Sequence, residues 1–166
     1  MKAISLWQPW ATFMALGLKR FETRSWPTAY RGPLAICAAK IRIKEFAPDL
    51  MGRLLETEYY QPEDQTVADT LDRLPYGAVL CVVEVVGCVP TELYTKAHYP
   101  LSRLESDLGD YSARRWVWQT TNLRRLLSTV PVIGRQGLFD LPPEIEARVL
   151  NDLSNHEPTA LTLPIN

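Results

Sequence analysis

Apolar and polar positions alternate over Ala3-Ile4-Ser5-Leu6-Trp7, which predicts a first strand. Pro9 suits the first turn of a helix, and Trp10, Phe13, Met14 and Leu16 follow at near-helical spacing, so a short helix is expected from Pro9 to Leu16. Gly17 fits the left-handed position that ends a helix and delivers Lys19 just past it. Arg20 to Trp26 is β-prone, contains no glycine and is stopped by Pro27; Tyr30-Arg31-Gly32-Pro33 is a turn signal. Leu34 to Ala38 is a short apolar run of the kind found in buried strands. Ala78 to Val86 is apolar on both faces, which predicts a central strand, with Gly87 as its end or a bulge. Arg115 to Gln119 and Leu138 to Leu141 read as further strands, and Pro142-Pro143 opens a helix from Glu144 to about Leu153.

Between these elements the pattern changes. Phe46, Leu50, Leu54 and Leu55 have helical spacing, Tyr59-Tyr60-Gln61-Pro62 interrupts it, and Val67, Leu71 and Leu74 suggest a second helix. The stretch 44–74 is expected to be a helical insertion outside the main sheet, placed to act as a lid. Residues 91 to 108 are mixed, with a weak helix near Leu101 to Asp107, and Gly109-Asp110-Tyr111-Ser112 is a loop. The last helix and a loose tail occupy 143–166. With no repeat or low-complexity tract, the expectation is a single domain over 1–166. Strands separated by turns, with short inserted helices and no glycine-rich phosphate loop, point to an α+β fold built on a small mixed barrel rather than a parallel α/β sheet.

Composition narrows the function without choosing it. The 166 residues are 46% hydrophobic and 22% charged, with a net charge of −1, which argues against a protein that coats duplex DNA by bulk charge. No run approaches the roughly 18 apolar residues of a membrane span, and Met1-Lys2 leads into an alternating segment rather than an apolar signal region. Cys37, Cys81 and Cys88 show no CxxC spacing and the two histidines are His98 and His156, so neither a metal nor a cofactor is expected, and the cysteines read as buried thiols in a reducing cytoplasm.

The chemistry concentrates in Gly17-Leu18-Lys19-Arg20-Phe21-Glu22-Thr23-Arg24, flanked by Trp7, Trp10 and Trp26. Lys19 is a candidate base, nucleophile or oxyanion partner, and Glu22 a candidate acid/base or base-edge acceptor. Offset three places a strand's side chains on opposite faces, so Lys19 and Glu22 meet only if a turn or bulge intervenes. Aromatics beside cations suit base stacking, with Arg31, Lys40, Arg114, Arg115 and Arg135 as an outer phosphate rim. A glycosidase-like pair of Glu22 and Glu84 facing one cavity is a further possibility to be checked.

Gly17-x-Lys19-x-x-Glu22-x-Arg24 resembles the GxKxxExR signature of ASCH domains. Leu6-Trp7-Gln8-Pro9-Trp10-Ala11, Thr23-Arg24-Ser25-Trp26-Pro27, Tyr30-Arg31-Gly32-Pro33-Leu34, Gly109-Asp110-Tyr111-Ser112 and Gly134-Arg135-Gln136-Gly137-Leu138-Phe139 are similar to that family too. The resemblance implies a PUA-like pseudo-barrel of about five or six strands with short helices at its side, a cleft lined by the motif, and an RNA-related role. In small family members that hydrolyse N4-acetylcytidine to cytidine the motif lysine is catalytic and a threonine stands where this chain has Glu22; here Thr23 is one place later. The resemblance carries Lys19 over as catalytic; with the residue reading above, Glu22 and Thr23 join it as catalytic candidates, and Trp7, Gln8, Trp10, Arg24, Trp26, Arg31, Asp110, Tyr111 and Ser112 are substrate-binding candidates. Three functions stay open: a metal-independent amidohydrolase on N4-acylated cytidine, a binding module for RNA or a modified nucleotide, and a ribonuclease. The partner in each is a cytidine-type nucleoside or RNA.

Overall fold

The computed structural model describes residues 1–42, 57–61 and 66–155. The first expected helix of the insertion and the terminal tail lie outside these residues. Six strands form one mixed sheet, curled into a half-barrel, in the order β2-β5-β4-β3-β1-β6. They are β1 (Lys2–Leu6), β2 (Glu22–Arg24), β3 (Gly32–Ala38), β4 (Ala78–Pro90), β5 (Trp116–Pro131) and β6 (Leu138–Asp140). β1 and β3 run parallel, and the other neighbours are antiparallel. The helices among the described residues are α1 (Trp10–Ala15), α2 (Val67–Arg73), α3 (Thr91–Ala97), α4 (Arg103–Leu108) and α5 (Pro143–Ser154). No helix among them is long and apolar enough to cross a membrane.

β4 lies between β3 and β5, as its two apolar faces predict. Leu80, Cys81, Val83 and Val85 join Ile4, Leu6, Met14 and Trp118 in a core under α1. Val79 and Val82 join Ala3, Leu126, Phe139 and Val149 in a second core under α5. Phe13, Leu71, Leu74 and Leu108 form a third cluster, which ties α2 to the end of α4.

Three expectations change in extent, and one helix stands where the pattern predicts none. β4 continues through Gly87 to Pro90, and Gly87 sits at a register shift rather than at the strand's end. β5 is 16 residues long, where the pattern predicted only Arg115 to Gln119. Three register shifts along β4–β5, and Asn122 at φ 51°, break the period-two alternation that a sequence reading relies on. β2 spans only three residues of the extended segment expected from Arg20 to Trp26. α3 escapes the hydrophobic pattern because its buried residues are Thr91 and Tyr94 rather than aliphatics: Thr91 Oγ1 donates to Ser112 O at 2.8 Å, while Leu93 on the same helix is exposed.

Cys37 and Cys81 are fully buried, and burial pushes the Cys37 thiol up to about 12 and raises that of Cys81 as well. Both are therefore expected to resist alkylation in the folded protein. A thiol titration under native conditions should modify the half-buried Cys88 alone, and all three in urea; rapid native labelling of Cys37 or Cys81 would contradict this core.

Candidate functional site

A cleft of about 480 Å³ opens between the C-terminal end of β1, β2 and the α4–β5 connection. It is lined by Ser5, Leu6, Trp7 and Trp10, by Lys19, Glu22, Thr23 and Arg24, and by residues 107–110 with Arg115.

The turn after α1 places Lys19. Gly17 adopts φ +75°, its N–H donates to Met14 O at 3.0 Å, and the Lys19 N–H then reaches back to Phe13 O at 3.0 Å. Lys19 thus precedes β2 instead of belonging to it, and a bend at Phe21 separates it from Glu22. That is the turn the sequence required for the two side chains to meet. Lys19 Nζ lies 3.5 Å from Glu22 Oε2 and donates to Leu108 O at 3.0 Å. Glu22 Oε1 pairs with Arg24 Nε at 3.0 Å, and Arg24 Nη2 donates to Ser5 O at 3.1 Å. Lys19 is 3% exposed and Glu22 7%, so this is a buried cation–carboxylate pair, extended by the half-buried Arg24, facing a cleft. Charges so buried persist only when paired.

The opposite wall is pinned to the same strand. Thr23 Oγ1 accepts the Asp110 N–H at 3.0 Å, and Arg115 joins Thr23 O, at 3.2 Å from Nη2, to Asp110 Oδ2, at 3.1 Å from Nε. Asp110 Oδ1 accepts the Ser112 hydroxyl at 2.7 Å and its amide at 3.1 Å, closing the loop on itself. These hydrogen bonds from Ser112, helped by the Arg115 charge, hold the Asp110 carboxyl below the usual carboxylate range. A depressed acid stabilises the fold above its ordinary value and loses that contribution as pH falls through its lowered one. Below about pH 4 the Leu108–Ser112 wall should therefore loosen before the sheet does. Amide exchange at Asp110 and Ser112 would read this; protection that stays constant down to the acid unfolding transition would contradict it.

Several candidates from the sequence lie elsewhere. Gln8 is buried and occupied: its Nε2 donates to Pro75 O at 2.6 Å and its Oε1 accepts the Thr12 N–H at 3.1 Å, so it braces α1 rather than lining the cleft. Trp26 packs edge-on against Trp118, with centroids 4.7 Å apart, and its carbonyl accepts the Trp118 indole N–H at 3.3 Å. Arg31 is exposed, and its Nη1 donates to Thr28 O and Tyr30 O. Tyr111 stacks on Tyr94 at 5.7 Å behind the loop, at a spot where a Cβ on Gly109 would come within 2.4 Å of its ring. Burial and nearby Glu105 push the Tyr111 phenol up. Ser112 shapes the loop without lining the cleft. Glu84 is half-buried on β4 and does not line the cleft either, which leaves Glu22 without that partner. Trp7, Trp10, Lys19, Glu22, Thr23, Arg24 and Asp110 all line it.

The sequence reading missed Ser5, Asp107 and Leu108. Leu108 contributes through its backbone carbonyl, which no side-chain pattern reveals. Ser5 enters because β1 ends at the cleft.

The chain matches the family described as ASCH domain over residues 4–129. It is 28% identical over 142 residues to activating signal cointegrator 1 of Homo sapiens and, equally, of Mus musculus. Each match covers 86% of this chain and 22% of the relative, so the chain spans about a fifth of those proteins' length. A crystal structure of ASCH from Zymomonas mobilis superposes with a TM-score of 0.53 at 13% identity, covering 90% of this chain and 93% of that one, which is a likeness of fold.

Proposed function

The chain belongs to the ASCH domain family, an RNA-associated family, and on that premise we propose that its cleft binds the base of a cytidine-type nucleoside or of RNA. One observation carries the reading: the buried Lys19–Glu22 pair, with Arg24 beside it, faces a cleft whose rim holds Trp7, a tryptophan left 55% exposed. An exposed indole beside fixed charges offers a face for stacking, and the charges offer hydrogen bonds to a base edge. Glu22 suits the exocyclic amine of a cytosine as acceptor, and Lys19 or Arg24 suits its ring carbonyl as donor. Trp10 lines the inner side, and Asp110 and Arg115 the outer wall. The protein would work in the cytoplasm, where Cys37, Cys81 and Cys88 stay reduced.

The test is binding of cytidine, and of a cytidine-containing oligoribonucleotide, to wild type and Trp7→Ala. Loss of one stacked base is worth about 1–3 kcal/mol, so affinity should fall roughly 5- to 150-fold. Trp7 is exposed, so stability should hardly change. Equal affinity in the two proteins would remove the cleft from consideration as the base site.

The same chain of charges favours a second reading, hydrolysis of N4-acylated cytidine. Lys19 Nζ donates to the Leu108 carbonyl and lies 3.5 Å from the Glu22 carboxylate, which suits it to holding an oxyanion. Water would attack the acyl carbon, with Glu22 taking its proton. Lys19 and Arg24 would stabilise the oxyanion, and the proton would pass to N4 as the C–N bond breaks, leaving cytidine and the carboxylic acid. Thr23 would hold the wall through Asp110 rather than attack. Incubation with N4-acetylcytidine, followed by absorbance, should show turnover that Lys19→Ala loses. Equal inactivity of both proteins would leave the cleft as a binding site alone.

A further inference from the structure

The cleft-lining charges cancel: Lys19, Arg24 and Arg115 stand against Glu22, Asp107 and Asp110. Each of the two arginines is also tied to a carboxylate and a backbone carbonyl. Such a cleft suits a neutral polar group, a base or a sugar, and offers little uncommitted positive charge to a phosphate chain. If RNA is the ligand, its phosphates must find cations elsewhere.

The register of the sheet shows where. β6 pairs antiparallel with β1, Leu138 opposite Ile4, so the residues before Leu138 continue alongside the end of β1, where Ser5, Leu6 and Trp7 line the cleft. The approach is close, since a Cβ at Gly134 would fall 2.4 Å from Ser5 Oγ. That hydroxyl is buried and has no hydrogen-bond partner among the described residues. Gly137 turns the chain back into β6 at φ +71°. The next residue after Gly134 is Arg135, exposed and in no ion pair among the described residues, and Ile133 before it is 80% exposed. The loop that runs beside the β1 end of the cleft therefore carries an exposed arginine in no ion pair among the described residues.

We propose that the loop Ile133–Gly137 is a second contact for single-stranded RNA, with Arg135 taking the phosphate next to the nucleotide seated in the cleft. This rests on the cleft reading above and extends it from a base to a strand. The strand runs from the Trp7 rim across the end of β1 and over Gly134. There a glycine keeps the backbone low, and a side chain in its place would require the Ser5 hydroxyl to swing away.

The experiment measures binding of cytidine and of a short cytidine-containing oligoribonucleotide, over a salt series, to wild type, Arg135→Gln, Arg135→Lys and Trp7→Ala. Arg135→Gln should bind cytidine as wild type does, bind the oligomer roughly 5- to 10-fold more weakly at low salt, and lower the log–log salt slope by about 0.7, the value for one single-strand phosphate. Arg135→Lys should restore most of the slope. The loop proposal is overturned if Trp7→Ala weakens oligomer binding while Arg135→Gln leaves affinity and slope unchanged. It is overturned equally if Arg135→Gln weakens cytidine and oligomer alike, which would make the loop a structural support. If Trp7→Ala leaves oligomer binding intact, the cleft reading is what fails, whatever Arg135→Gln does.

Discussion

Lys19→Met is expected to abolish ligand binding in the cleft and to lower the unfolding free energy by about 3 kcal/mol, near the low end of what breaking a buried ion pair costs. The side chain is 3% exposed and serves two acceptors, Glu22 at 3.5 Å and the Leu108 carbonyl at 3.0 Å. Its removal leaves a buried carboxylate with Arg24 as its remaining cation and a buried carbonyl without a donor. The retained arginine is the reason to expect the low end. The double variant Lys19→Met/Glu22→Gln should be less unstable than the sum of the two single changes, because it removes the orphaned charge along with its partner, yet it should bind no better. Urea unfolding and ligand titration on the three variants separate the two effects. A Lys19→Met protein within about 1 kcal/mol of wild type would show that the pair is not what holds the cleft floor.

Trp118→Ala should be as costly to the fold, about 3–5 kcal/mol for truncating a fully buried tryptophan. Trp118 lies opposite Glu22 in the β2–β5 register, packs with Ile4, Leu6 and Met14, and holds Trp26 through both ring contact and the indole hydrogen bond. Its loss therefore opens a cavity directly beneath the strand that carries the site. Trp118→Phe keeps most of the packing but deprives the Trp26 carbonyl of its donor, so a smaller loss of about 1–2 kcal/mol is expected. Ligand affinity should fall with Trp118→Ala even though the residue does not line the cleft, because Glu22 and Arg24 lose their backing. Thermal unfolding with binding measured well below the midpoint tests this. Unchanged affinity in a destabilised Trp118→Ala would show that β2 is held by β5 backbone pairing alone.

The contrast between these tryptophans explains how much was legible in the sequence. Trp7, Trp10 and Trp26 flank one charged motif and look alike along the chain. Trp7 follows β1 at the solvent rim, while Trp26 is turned onto Trp118 by a strand some 90 residues later in sequence. Gln8 sits among aromatics like a ligand contact, yet the distant Pro75 carbonyl takes up its amide N–H. Local spacing carries no information about such long-range partners. It does carry the Gly17 turn, since a helix terminus ended by a residue at positive φ is a short-range matter.

By itself the sequence determined an α+β fold with its central strand at Ala78 onward, a short helix closed by Gly17, and a cluster of Lys19, Glu22 and Arg24 as the candidate site. These follow from hydrophobic period and backbone conformational preference, which act over a few residues. Only the tertiary structure decided that Lys19 reaches the Leu108 carbonyl, that Thr23 and Arg115 fasten the Asp110 loop across from it, and that the Gly134–Arg135 loop lies against Ser5. Each of these joins segments about 90 to 130 residues apart. Their proximity is set by strand order and register in the folded sheet, where burying two apolar faces at once leaves one arrangement for the chain between.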